Sequence, residues 1–128
     1  MNPEDLKYHK EHTWARISGN KATVGISDYA QESLGEIVYI EIPETGTSVQ
    51  AGEDLGEIES TKATSSIVSP VSGTVVEVNE ELNDAPEIVN EDPYSKGWVA
   101  VIELSDSSSG SDLMSSVEYE KFIEKESK

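Results

Sequence analysis

His9 and His12, three residues apart, are the chain's two histidines. As metal ligands they would need further donors, and 26 Asp and Glu residues are too many to single out partners. Ordinary polar surface or a local hydrogen bond is the better reading of the pair, and no metal site is expected. The serines include no G-x-S-x-G elbow to raise a nucleophile. The glycines form neither G-x-G-x-x-G nor a phosphate-binding P-loop. Paired-carboxylate hydrolysis stays open in so acidic a chain, yet no spacing marks one pair, and no catalytic residue is assigned.

Lys62 stands apart. It is the single lysine of "GEIESTKATSSIVSPVSGTVVEVN", residues 56 to 79, a run of strand formers and turn formers. An exposed hairpin lysine usually serves only solubility. A swinging carrier arm, however, must stand clear of the body and be reachable by several enzymes, and a tight turn holds its base rigidly. Acylation of the amine would also remove its charge and leave a neutral, flexible arm.

The elements that would position Lys62 are short and mostly β. "WARIS" and "KATVGI" alternate around Gly19-Asn20, a two-residue hairpin turn. "SDYAQESLG" breaks that period; Ser27 or Asp28 can cap a short helix and Gly35 can end it. "EIVYIEI" resumes strand character and stops at Pro43. Val49 to Leu55 and Val76 to Leu82 then share the pattern V-x-x-[G/N]-E-x-L. Gly52 and Asn79 both tolerate a left-handed turn, so each copy reads as strand, tight turn, strand. Two copies are too few for a solenoid and suggest instead a pseudo-twofold pair of facing sheets, with Lys62 near the midpoint at a hairpin tip.

"NDAPEIVNEDPYSKGW" reads as loop and "WVAVIEL" as the last strand. "SDSSSGSD" is a polar connector. Ser115-x-x-Glu118 is a capping box before "VEYEKFIEKE", where Val117, Tyr119, Phe122 and Ile123 form a partial apolar stripe. Trp14, Trp98, Tyr39 and the Val and Ile positions are expected in the core.

A chain of 128 residues fits one domain with a modest core. Its net charge of -17 argues against nucleic acid and against an anionic membrane, because both need clustered Lys and Arg. Such a charge suits partners with complementary basic patches. With no cysteine, disulfides, thiolate catalysis and cysteine-ligated metals are excluded. No apolar run approaches a membrane span. "MNPEDLKYHKEH" lacks the apolar core of a signal peptide, so a cytoplasmic protein is expected, or a mitochondrial-matrix one whose targeting segment has been removed.

"ESTKATS" followed by "PVSGTVVEVN" resembles the lipoylated lysine hairpin of the glycine cleavage system H protein family. The resemblance runs nearly end to end, through "HTW", "VGISDYAQESLGEIVYIEIPETG", "NEDPYSKGW" and "YEKF". It implies a mainly β barrel-sandwich hybrid: two small antiparallel sheets with a pseudo-twofold, a short internal helix and a C-terminal helix. It implies one lipoyl-carrier domain over 1–128, with a hairpin core at about 36–104 and the last helix at about 111–126.

In function the resemblance implies a shuttle for glycine degradation, without catalysis of its own. Lipoate attached covalently to Lys62 would accept the aminomethyl group at pyridoxal-phosphate-dependent glycine decarboxylase. A tetrahydrofolate-dependent aminomethyltransferase would then take the one-carbon unit. Dihydrolipoyl dehydrogenase, with FAD, would reoxidise the dithiol, and a lipoate-attaching enzyme would install the group. A monomer is expected.

The family commonly has an acid where this chain has Thr13, and another where it has Ser66. Acids beside the arm's resting cleft should hold the ammonium of the loaded arm. The cleft residues implied are therefore Glu11, His12, Thr13, Glu32, Glu36 and Ser66, with Glu11, Glu32 or Glu36 standing in for the missing acids. The lipoyl domain of a 2-oxo acid dehydrogenase would be shorter and lack the N-terminal hairpin. A biotin carrier would show Met-Lys-Met in place of Thr61-Lys62-Ala63. Two rivals stay open at this point, that lipoyl domain and an H-like relay that hands lipoate to other enzymes, and an unmodified interaction module stays open beside them.

Overall fold

The computed structural model describes residues 6–105 and 113–126. The first strands are β1 (Lys7–Tyr8), β2 (Thr13–Ser18) and β3 (Lys21–Ile26). Ser18 and Lys21 pair across the turn, and Gly19 adopts φ +61° there, as the Gly-Asn signal predicts. In β3 the alternation buries Ala22, Val24 and Ile26. Helix α1 (Asp28–Leu34) follows at once, with the Ser27 hydroxyl accepting from Ala30 N at 3.2 Å and Gly35 closing the last turn.

Next come β4 (Ile37–Glu41), β5 (Ser48–Val49), β6 (Asp54–Ser60), β7 (Thr64–Val68) and β8 (Gly73–Val78). Helices α2 (Glu81–Asp84) and α3 (Ile88–Glu91) lead to β9 (Ala100–Leu104) and α4 (Ser116–Glu126). All strand pairs are antiparallel. One sheet has the order β1-β2-β3-β9-β8-β5 and the other β4-β6-β7. The architecture is the expected barrel-sandwich, although its sheets are unequal, six strands against three. Val24, Val75 and Ile102 of the larger sheet and Ile37, Ile40, Leu55, Ile58 and Ile67 of the smaller share one core. A second cluster of Leu6, Tyr8, Trp14 and Tyr119 joins α4 to the N-terminal hairpin, with Trp98 packed against it. No helix among the described residues is long and apolar enough to cross a membrane.

Four expectations are corrected. Tyr39 is not core: a bulge after Ile37 inserts Val38 into the β4–β6 ladder, and both Val38 and Tyr39 turn outward, each about half exposed. The 83–98 stretch is not all loop, because α2 begins at Glu81 and α3 forms within it, each a single turn pinned by a buried Leu82 or Val89. One turn is too short to display an apolar period.

The third correction concerns the repeat. Its first copy is strand, turn, strand as expected, with Gly52 at φ +95°. In the second, Asn79 has no positive φ and the chain passes into α2. Asn79 is instead buried, and its Nδ2 donates to Lys96 O at 2.9 Å and Trp98 O at 2.8 Å. Its side chain ties β8 to the segment before β9. Fourth, α4 starts at Ser116 rather than about 111, and the capping box sets that start: Ser115 N donates to Glu118 Oε1 at 2.9 Å, and Glu118 N to Ser115 Oγ at 3.3 Å. The "SDSSSGSD" connector lies, except for Ser105, outside the described residues.

Candidate functional site

Lys62 sits at the tip of the β6–β7 hairpin, beyond the last ladder pair, Glu59 with Thr64. Ser60 builds the turn. Its N–H donates to Ala63 O at 2.8 Å, and its Oγ accepts from Lys62 N at 3.2 Å and Ala63 N at 3.0 Å. Thr61 N donates to Glu36 O at 3.0 Å, which moors the tip to the chain leaving α1. The lysine is therefore exposed on a turn whose backbone is fixed on both sides.

The stem of Lys62 lies along Gly35. A Cβ on Gly35 would stand 3.0 Å from Lys62 Cε and 3.7 Å from Cδ. Gly35 also has φ +81° and ψ -150°, a region that essentially only glycine occupies. Asn90 of α3 holds this junction. It donates to Gly35 O at 2.8 Å and Gln31 Oε1 at 2.9 Å, and accepts from Ile37 N at 2.9 Å.

The residues of α1 just before Gly35 line a cleft of about 270 Å³, together with Glu11, His12 and Ser65. Tyr29, Ala30, Ser33 and Leu34 supply its helical wall, and their 1-4-5 spacing puts them on one face of α1. His12 has φ +69°, the one positive φ among described non-glycine residues. Its Nδ1 lies 2.7 Å from Tyr119 Oη, which is also 2.7 Å from Ser27 Oγ. Tyr119 is fully buried and stacks on Tyr8 with centroids 4.6 Å apart. Helix α4 thereby fixes a wall residue of the cleft and the N-cap of α1 through one hydroxyl.

Of the six cleft residues implied by resemblance, Glu11 and His12 line it. Glu32 and Glu36 are exposed and do not; Glu36 contributes its carbonyl to the hairpin. Thr13 is 2 % exposed, with an Oγ1 that has no hydrogen-bond partner among the described residues, and is not in the lining. Ser66 faces away: it is paired with Glu57, and successive strand residues alternate between faces, so Ser65 takes the cleft side. The i, i+4 pairs of α1, Tyr29 with Ser33 and Ala30 with Leu34, were the sequence signal for the missed wall. Nothing local pointed to Asn90 or Tyr119.

His9 stands outside this lining. Burial holds its imidazole below the ordinary value, with Glu11 opposing, and its Nδ1 accepts from Glu11 N at 3.0 Å. Burial pushes the Tyr94 phenol up to about 12 although Asp28 N donates to it at 2.9 Å, so Tyr94 is a neutral prop under α1.

A family model described as "Glycine cleavage H-protein" matches residues 6–126. The chain is 54% identical over 123 residues to the mitochondrial glycine cleavage system H protein 2 of Arabidopsis thaliana, covering 96% of this chain and 79% of the relative. It is 55% identical over 124 residues to the glycine cleavage system H protein of Rubrobacter xylanophilus, covering 97% and 96%. The crystal structure of a glycine cleavage system H protein from Mycobacterium marinum superposes with a TM-score of 0.87 at 35% identity, over 95% of this chain and 98% of that one. With an exposed lysine on a fixed hairpin, an adjoining cleft and end-to-end similarity of this degree, the chain belongs to the glycine cleavage H-protein family.

Proposed function

We propose that Lys62 is the lipoyl attachment site of this glycine-cleavage carrier and that the Glu11–His12 cleft receives the loaded arm. The observation that carries the reading is the Lys62 stem resting on Gly35, at the end of the helix that walls the cleft. The residues present fit a lipoyl group. Tyr29, Ala30 and Leu34 offer apolar surface to a hydrocarbon arm, and Glu11 offers a carboxylate to an ammonium at its end. When attached, lipoate supplies a cyclic disulfide whose reductive opening takes up the aminomethyl group.

The protein's own contribution is presentation. The Ser60 turn gives a rigid base, so the arm's freedom begins at the Lys62 side chain. Lys62, once amidated, no longer carries a charge, so the arm can pass from solvent into the cleft without desolvating an ammonium at its base. The partners on this reading are glycine decarboxylase, aminomethyltransferase, dihydrolipoyl dehydrogenase and a lipoate-attaching enzyme. The relay alternative gains nothing from the relatives compared above, each of which is named a glycine cleavage system H protein.

The test is lipoylation by lipoate ligase, followed by mass measurement and glycine–bicarbonate exchange with glycine decarboxylase. Wild type should gain one lipoyl group, Lys62→Ala none, and the lipoyl protein should load faster than free lipoamide. Modification at Lys21 or Lys96 would overturn the site, and loading no faster than free lipoamide would overturn the role.

A further inference from the structure

The outer side of the small sheet carries two features that the fold does not need. The bulge at Val38 turns Tyr39 outward, 48% exposed, one ladder pair back from the turn that bears Lys62. Glu41 and Glu57 stand directly opposite each other in the β4–β6 register, both exposed, and among the described residues neither carboxylate has a hydrogen-bond or ion-pair partner. Like charges facing across a ladder destabilise a sheet. A groove of about 510 Å³ runs from Tyr39 to Val78 beside them, with Ile42 in its wall, Glu44 and Glu80 on its rim and no basic residue among the described residues of its lining.

We propose that this face docks glycine decarboxylase, the enzyme that loads the arm, through an apolar side chain seated beside Tyr39 and Lys or Arg residues reaching Glu41, Glu57 and Glu80. The inference rests on the carrier reading above and adds where the partner sits. A half-exposed tyrosine beside a groove that also exposes Ile42 and Val78 among acidic side chains is the kind of residue that anchors interfaces. The opposed carboxylates are a cost to the free protein that a cationic partner removes. The face also adjoins the arm, because Ile37 pairs with Ser60 and Glu36 O holds Thr61. A second copy of this chain is a poor occupant, since it would bring its own net charge of -17.

The experiment measures binding of the lipoyl protein to glycine decarboxylase by calorimetry, and the KM for the carrier in exchange, at low and physiological salt. Tyr39→Ser should raise Kd and KM about tenfold with kcat unchanged, the usual scale for losing an aromatic anchor. Glu41→Gln with Glu57→Gln should weaken binding and flatten its salt dependence, while melting at or slightly above the wild-type temperature. Ile17→Ser, an exposed apolar change on the other sheet, should match wild type in every respect. A Tyr39→Ser carrier within twofold of wild type in Kd and KM overturns the docking face while wild-type loading keeps the carrier role. Wild-type loading no faster than free lipoamide overturns both. Self-association of the wild type that Tyr39→Ser abolishes would give the groove to a second copy and overturn the proposed partner.

Discussion

Gly35 and Lys62 are 27 residues apart in sequence, yet the lysine stem crosses the glycine so closely that a single Cβ would stand 3.0 Å from Cε. Gly35 thus does two things: it ends α1, and it leaves a bare track for the lysine. Gly35→Ala should cost about 1–3 kcal/mol, the usual strain for a side chain in this backbone region. It should also displace the Lys62 stem. A thermal melt checks the first effect and the rate of loading checks the second; a variant as stable and as fast as wild type would remove Gly35 from the site.

Glu11 is the carboxylate in the cleft lining. Glu11→Gln should therefore hasten loss of methylamine from the loaded carrier roughly tenfold or more, since one charge-assisted contact is worth about 1.5–3 kcal/mol. Glu32→Gln and Glu36→Gln should leave that rate unchanged. Ser66→Asp should also leave it unchanged, because that position faces the other side of the sheet.

Gly52 and Asn79 should respond differently to substitution. Gly52→Val places a β-branched residue at φ +95° and should cost on the order of 1–2 kcal/mol or more. Asn79→Gly would be harmless if the position were a left-handed turn. Because the asparagine acts through two side-chain hydrogen bonds, Asn79→Gly should destabilise as much as Asn79→Ala, about 1–3 kcal/mol. Denaturant unfolding of the three variants separates the two causes.

The α4 capping box should show in the pH dependence of stability. Hydrogen bonds from the Ser115 backbone and then its side chain hold the Glu118 carboxyl below its ordinary value of 4.5. A depressed folded value means that the contribution is fully present above 4.5 and is lost as pH falls through the lower, folded value. Glu118→Gln should thus lose less stability than wild type on going from about pH 7 to about pH 3. Parallel melting curves for the two proteins over that range would argue against the cap.

The hairpin lysine, the Gly19-Asn20 turn, the bounds of α1 and the capping box of α4 could all be read from the sequence. Each is set by residues within a few positions of one another: a glycine that tolerates positive φ, a hydroxyl that reaches the next N–H, a strand period of two. The end-to-end resemblance supplied the sheets and is the source of the role proposed for Lys62. Other features waited on the tertiary structure. The repeat matched Asn79 to Gly52 by residue type, but burial beside the 96–98 segment decided that asparagine would serve through its side chain. Tyr39 looked apolar enough for the core until the bulge at Val38 changed which residues faced inward. The cleft is the clearest case, because its walls come from the turn before β2, from α1 and from β7, and His12 is held by Tyr119 of α4, 107 residues on. No local pattern encodes such a meeting. It depends on how the N-terminal hairpin and α4 pack around their shared aromatic cluster, and that packing fixes which of several nearby carboxylates lines the cleft.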